Sequence, residues 1–71
     1  MSMTEKIRIL LVKRGNLSEA ELARRLETTP QNLNKKMKRD NFTESDLCEI
    51  AAALNCDYVS GFRMKDTGEL V

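Results

Sequence analysis

Leu17-Ser18-Glu19-Ala20-Glu21-Leu22-Ala23-Arg24-Arg25-Leu26-Glu27-Thr28-Thr29-Pro30-Gln31-Asn32-Leu33-Asn34-Lys35-Lys36-Met37-Lys38-Arg39 contains two helix starts in close succession. Ser18 is placed as an N-cap, Glu21 stands in the capping-box position, and Leu17 can staple onto Leu22. Thr29 caps the next helix, with Pro30 at the first helical position, where its missing N–H costs nothing. The spacing predicts helices over residues 18–26 and 29–39, separated only by Glu27 and Thr28. So short a link suits a tight angled turn, the geometry of a helix-turn-helix.

Outward from this pair the same signals recur. Phe42-Thr43-Glu44-Ser45-Asp46-Leu47 repeats the cap, box and staple and predicts a helix over 43–54. A weaker cap at Thr4 opens a helix over 4–14, which Gly15 and Asn16 end. The expected core stripes are Ile7, Leu10 and Leu11; Leu22, Ala23 and Leu26; Leu33 and Met37; and Leu47, Ile50, Ala51 and Leu54. Ile9 and Val12 lie off the first stripe and suit a second contact, such as a dimer partner or the C-terminal segment. After Leu54, the residues Tyr58, Val59, Phe62 and Met64, followed by the turn signal Asp66-Thr67-Gly68, predict a strand over 58–64 and a return at 69–71. The expected fold class is mainly α: one domain over 1–71, a bundle of four to five helices closed by a C-terminal β-hairpin at about 58–71.

The chain of 71 residues carries 12 basic and 11 acidic side chains, no His and two Cys. Its net charge of +1 conceals an asymmetry. Up to Arg39 there are ten basic residues against four acidic ones, and from Asp40 onward two against seven. Such a split points to a nucleic-acid or other acidic partner. Cys48 and Cys56 are too few for a disulfide scaffold and, without His, do not complete a zinc site; Cys48, beside a core stripe, reads as a small buried hydrophobe. Enzyme chemistry lacks its usual materials, with no Gly-rich phosphate loop and no carboxylate pair beside a nucleophile. No catalytic residue, cofactor, metal or small-molecule ligand is expected. No run approaches a membrane span and no leader pattern is present, so a cytoplasmic location is expected.

The chemistry concentrates on the third helix, which has no acid between Thr29 and Arg39. With Leu33 and Met37 turned inward, Gln31, Lys35 and Lys38 fall on the opposite side, flanked by Asn32, Asn34 and Arg39. Amides match adenine N6 and N7, and Lys donates to guanine O6 and N7. Gln31, Asn32 and Lys35 are therefore the candidate base contacts, near the helix N-terminus. Lys36, Lys38 and Arg39 are the candidate phosphate contacts.

In Leu22-Ala23, Leu26, Thr29-Pro30-Gln31-Asn32-Leu33 and the basic run after it, residues 18–38 resemble the helix-turn-helix of the phage-repressor, Cro and XRE-type regulators. The likeness covers residues 5 to about 54 in helix order and spacing. It implies a lambda-repressor-like bundle and a sequence-specific double-stranded-DNA-binding transcriptional regulator, a repressor acting as a dimer on a roughly palindromic operator. Ala23 matches the family's small residue in the second helix and Leu33 its buried aliphatic position. Gln31, Asn32 and Lys35 match base-contacting positions, and Thr29 one that meets phosphate. Three departures stand out: Glu27 where Gly is common in the turn, Glu19 where Gln is common, and Met37 one place beyond the usual apolar position, which here holds Lys36. The competing expectation is a protein-interaction module on the same fold, antitoxin-like or an anti-repressor partner. A homodimer is expected, with Tyr58, Val59, Phe62 and Met64 as the available surface.

Overall fold

A computed structural model describes all residues 1–71. Four helices follow in order: α1 (Met3–Lys13), α2 (Glu19–Arg25), α3 (Pro30–Arg39) and α4 (Glu44–Ala53). All four begin alike. The side chains of Ser2, Ser18, Thr29 and Thr43 accept from the backbone N–H three residues on, at Glu5, Glu21, Asn32 and Asp46. Each thereby satisfies one of the donors that a helix start leaves unpaired.

Two of the expected starts need correction. The first helix is capped by Ser2 rather than Thr4, and Thr4 lies inside its first turn. At Ser18 only the forward bond forms, because the Glu21 carboxylate is engaged by Arg24 and Arg25 instead of reaching back. The α4 start has the full reciprocal box: Thr43 N–H donates to Asp46 Oδ2 and Asp46 N–H to Thr43 Oγ1, both at 3.0 Å.

Burial follows the expected stripes. Ile7 and Leu11 of α1, Leu22 and Ala23 of α2, Leu33 and Met37 of α3, and Leu47, Ile50 and Leu54 of the α4 segment form one apolar core. Helix α2 is its centre, packed against both α3 and α4. Leu10 and Leu26 sit at the margin, half-buried, beside the stapling residues Leu17 and Phe42.

The C-terminal segment departs from expectation. No strand forms over 58–64 and there is no β-hairpin; one isolated antiparallel bridge joins Arg63 to Leu70. Every residue from Val59 to Val71 is exposed. A two-stranded ribbon is marginal without a face to pack on, and only Tyr58, at its root, reaches the core. The segment also lengthens the molecule: the radius of gyration is 13.8 Å, against about 11 Å for a compact domain of this length.

Thr4 is the one buried polar residue. Its backbone N–H donates to Asp40 Oδ1 at 2.8 Å. Its hydroxyl lies 2.7 Å from the Met37 carbonyl oxygen and 2.9 Å from Asp40 Oδ1. The end of α3 thus serves as a second cap for the start of α1, joining residues remote in sequence. Thr4→Val keeps the shape but strands the Met37 carbonyl, and should lower stability by about 1–3 kcal/mol, while Thr4→Ser should retain most of it. Urea denaturation of both variants is the check, and an unchanged midpoint for Thr4→Val would show that the clamp contributes nothing to stability.

Candidate nucleic-acid interface

Between α2 and α3 lie four residues, 26–29. Thr28 N–H donates to the Ala23 carbonyl at 3.0 Å and Glu27 N–H to the Arg24 carbonyl at 3.1 Å. This reciprocal pair is a Schellman ending, which needs a left-handed residue between its two bonds. Glu27 fills that place with φ +57°. The departure from Gly in the turn is therefore met by the less favourable backbone and not by a different turn. Asp40 and Asn55 take the same conformation after α3 and α4, but short polar side chains tolerate it better than Glu does.

Pro30 and Thr29 then start α3 as expected, with Asn32 N–H on Thr29 Oγ1 at 3.1 Å. Leu33 and Met37 anchor the helix, and each turn between them carries exposed residues. Gln31, Lys35, Lys38 and Arg39 are all exposed, and neither the two lysines nor Arg39 enters an ion pair. Thr29 is exposed too, and its hydroxyl proton stays available for an outside acceptor because the capping bond uses only the oxygen's lone pair.

Two expected residues sit off this ridge. Asn32 is on the α4 side, where Nδ2 is 3.5 Å from Thr28 Oγ1 and the residue lines a groove of about 200 Å³ with Leu26, Phe42 and Glu49. Lys36 Nζ is 2.7 Å from Asp46 Oδ1. The candidate phosphate contact at Lys36 is therefore already committed to α4. No local sequence signal marks this pair, since Asp46 is needed at its own position to close the α4 capping box. On the opposite flank Asn34 and Gln31 border a depression with Glu19, which puts an acid close to the α3 ridge. Glu19 is only loosely compensated, with Arg8 Nε 3.8 Å away.

Charge elsewhere is held in place. Hydrogen bonding from the Arg24 guanidinium, with help from Arg25, lowers the Glu21 carboxyl to about 2, and Arg25 also donates to the Ala53 carbonyl. The Lys36 ammonium, then the Thr43 N–H, hold the Asp46 carboxyl below its ordinary value of 3.8. Cys48 is exposed rather than buried, whereas Cys56 is half-buried with Arg14 Nη2 3.3 Å from its sulfur. No family model matches the chain, and no curated protein or solved structure matches it either.

Replacing Glu27 by Gly relieves the left-handed backbone and should raise stability by about 1 kcal/mol with an unchanged denaturant slope. Equilibrium unfolding measures both, and a destabilised Gly variant would contradict the strain assigned to Glu27. Asp46 gives a pH signature. Its folded value lies below 3.8, so its contribution is fully present above that pH and disappears as pH falls through the lowered value. Between about pH 5 and pH 2, the wild type should lose stability more steeply than Asp46→Asn, which thermal unfolding at stepped pH would resolve.

Proposed function

We propose that this protein binds double-stranded DNA sequence-specifically as a small transcriptional regulator, with α3 in the major groove, and represses by occupying its site. The observation that carries the reading is the α3 ridge of Gln31, Lys35, Lys38 and Arg39, exposed and without an acid along the helix. A helix carrying this ridge fits the width of the major groove, and its amide and ammonium groups match base edges and phosphates. Gln31 and Lys35 read bases, with Asn32 reaching from the flank; Thr29, Lys38 and Arg39 contact phosphates. Lys36 joins them only by giving up Asp46. The seven acids from Asp40 onward bring the net charge down to +1 and limit indiscriminate retention on nucleic acid, with Asp46 and Glu49 flanking α3 on its α4 side.

A single α3 reads few base pairs, so two copies on half-sites about one helical turn apart supply the needed affinity. Val59, Phe62 and Met64 are exposed and suit that association, whereas Tyr58 packs on the core and does not. Duplexes selected from a random pool identify the site. On that site log affinity should fall with log salt by about 0.9 per phosphate contacted. Gln31→Ala should lose about 1–3 kcal/mol of discrimination, and Lys38→Ala should weaken all duplexes alike. Absence of duplex binding at low salt would leave the protein-partner reading, antitoxin-like or anti-repressor, in its place.

A further inference from the structure

Two apolar faces of this chain are left uncovered, and they differ in charge. The first is on α1, where Ile9 and Val12, one turn apart, are 41% and 62% exposed. They line a shallow depression with Arg8 and Lys13. The second is the C-terminal segment. Phe62 and Val71 exchange both backbone hydrogen bonds, at 2.8 and 2.7 Å, and Met64 N–H donates to the Glu69 carbonyl at 2.7 Å. This register puts Phe62, Met64, Glu69 and Val71 on one face and Arg63 and Leu70 on the other. Phe62 and Val71 are 80% and 72% exposed. The shape is built in: a Cβ at Gly61 would stand 2.8 Å from the Val71 carbonyl oxygen, so only glycine lets the segment close there.

We infer that these two faces belong to each other across two copies of the chain: the Phe62, Met64 and Val71 face of one copy covers Ile9 and Val12 on α1 of the other, with Glu69 set toward Arg8 and Lys13. Charge selects the pairing. The C-terminal face carries an acid on its apolar surface, while Arg63 lies on its back, and the α1 face is rimmed by Lys13, which has no acidic partner, and by Arg8, which Glu19 approaches only to 3.8 Å, so apolar burial and ion pairing favour the same union. Pairing the C-terminal face with itself would bring Glu69 close to Glu69. Within one chain the two faces do not meet, since both are open to solvent. Two reciprocal contacts close a two-fold dimer and leave no unsatisfied copy of either face. The inference rests on the two-copy reading above and is independent of which DNA sequence is read.

Sedimentation of the full chain, alone and at concentrations up to about 1 mM, tests it with Val12→Asp and Phe62→Asp. Both positions are exposed, and circular dichroism confirms that each variant keeps its helices. Each variant alone should self-associate about tenfold more weakly or worse. An equimolar mixture should recover association, because the heterodimer holds one contact with Val12 and Phe62 both intact. Dimers of Val12→Asp as strong as wild type, with no recovery on mixing, would overturn the α1 assignment and keep a dimer formed through the C-terminal face alone. A wild type that stays monomeric throughout would overturn both the inference and the two-copy reading, while leaving DNA binding to be judged by the salt titration.

Discussion

Leu22 and Ala23 have no exposed surface, and the rest of the molecule is arranged around that burial. Ala23 lets α2 come close to its neighbours, where a larger side chain would hold them apart, and Leu22 fills the centre of the core. Helix α3 has only two inward anchors, Leu33 and Met37. With α2 as their floor, two anchors suffice to fix its rotation about its own axis. That rotation is what turns Gln31, Lys35 and Lys38 outward together. The exposed polar ridge on α3 is therefore a by-product of how α2 packs.

The connections contribute as much to positioning as the core does. The left-handed residues Glu27, Asp40 and Asn55 follow the three later helices, each reversing the chain within a few residues. Asp40 also reaches across to the start of α1, so the α3 terminus is held by a hydrogen-bonded clamp as well as by packing. Glu27 is the strained member. Its strain is local to the turn that sets α3 relative to α2, where a more flexible residue would leave α3 less firmly aimed.

Electrostatics divide the cations by availability and not by number. Arg24 and Arg25 share Glu21, and Lys36 is held by Asp46, whereas Lys35, Lys38 and Arg39 have no acidic partner. Apart from Lys6 and Lys13 on α1, the uncommitted charge of the basic half thus forms a narrow line along α3. A narrow line gives orientation to an encounter with a polyanion, which a broad positive surface does not.

Helix starts were legible from sequence because a cap acts over three residues: Ser18, Thr29 and Thr43 were each recognisable as caps, and at Thr43 the reciprocal partner Asp46 was recognisable too. The core stripes were legible because helical periodicity separates inward from outward positions, and the outward face of α3 followed from Leu33 and Met37. What depended on contacts between distant residues was not. Thr4 looked like a cap and became a buried link to Met37 and Asp40; Lys36 looked free and met Asp46; Cys48 looked buried and lies open. The C-terminal residues had strand-like composition, yet a strand needs a partner edge and a face to bury, and the four-helix bundle offers neither to residues 59–71. Local chemistry by itself determined where the helices begin and which faces are apolar, because those forces act within a turn or two. Only the tertiary structure decided which charges remain available and which apolar faces stay uncovered, because both depend on what the folded chain brings alongside.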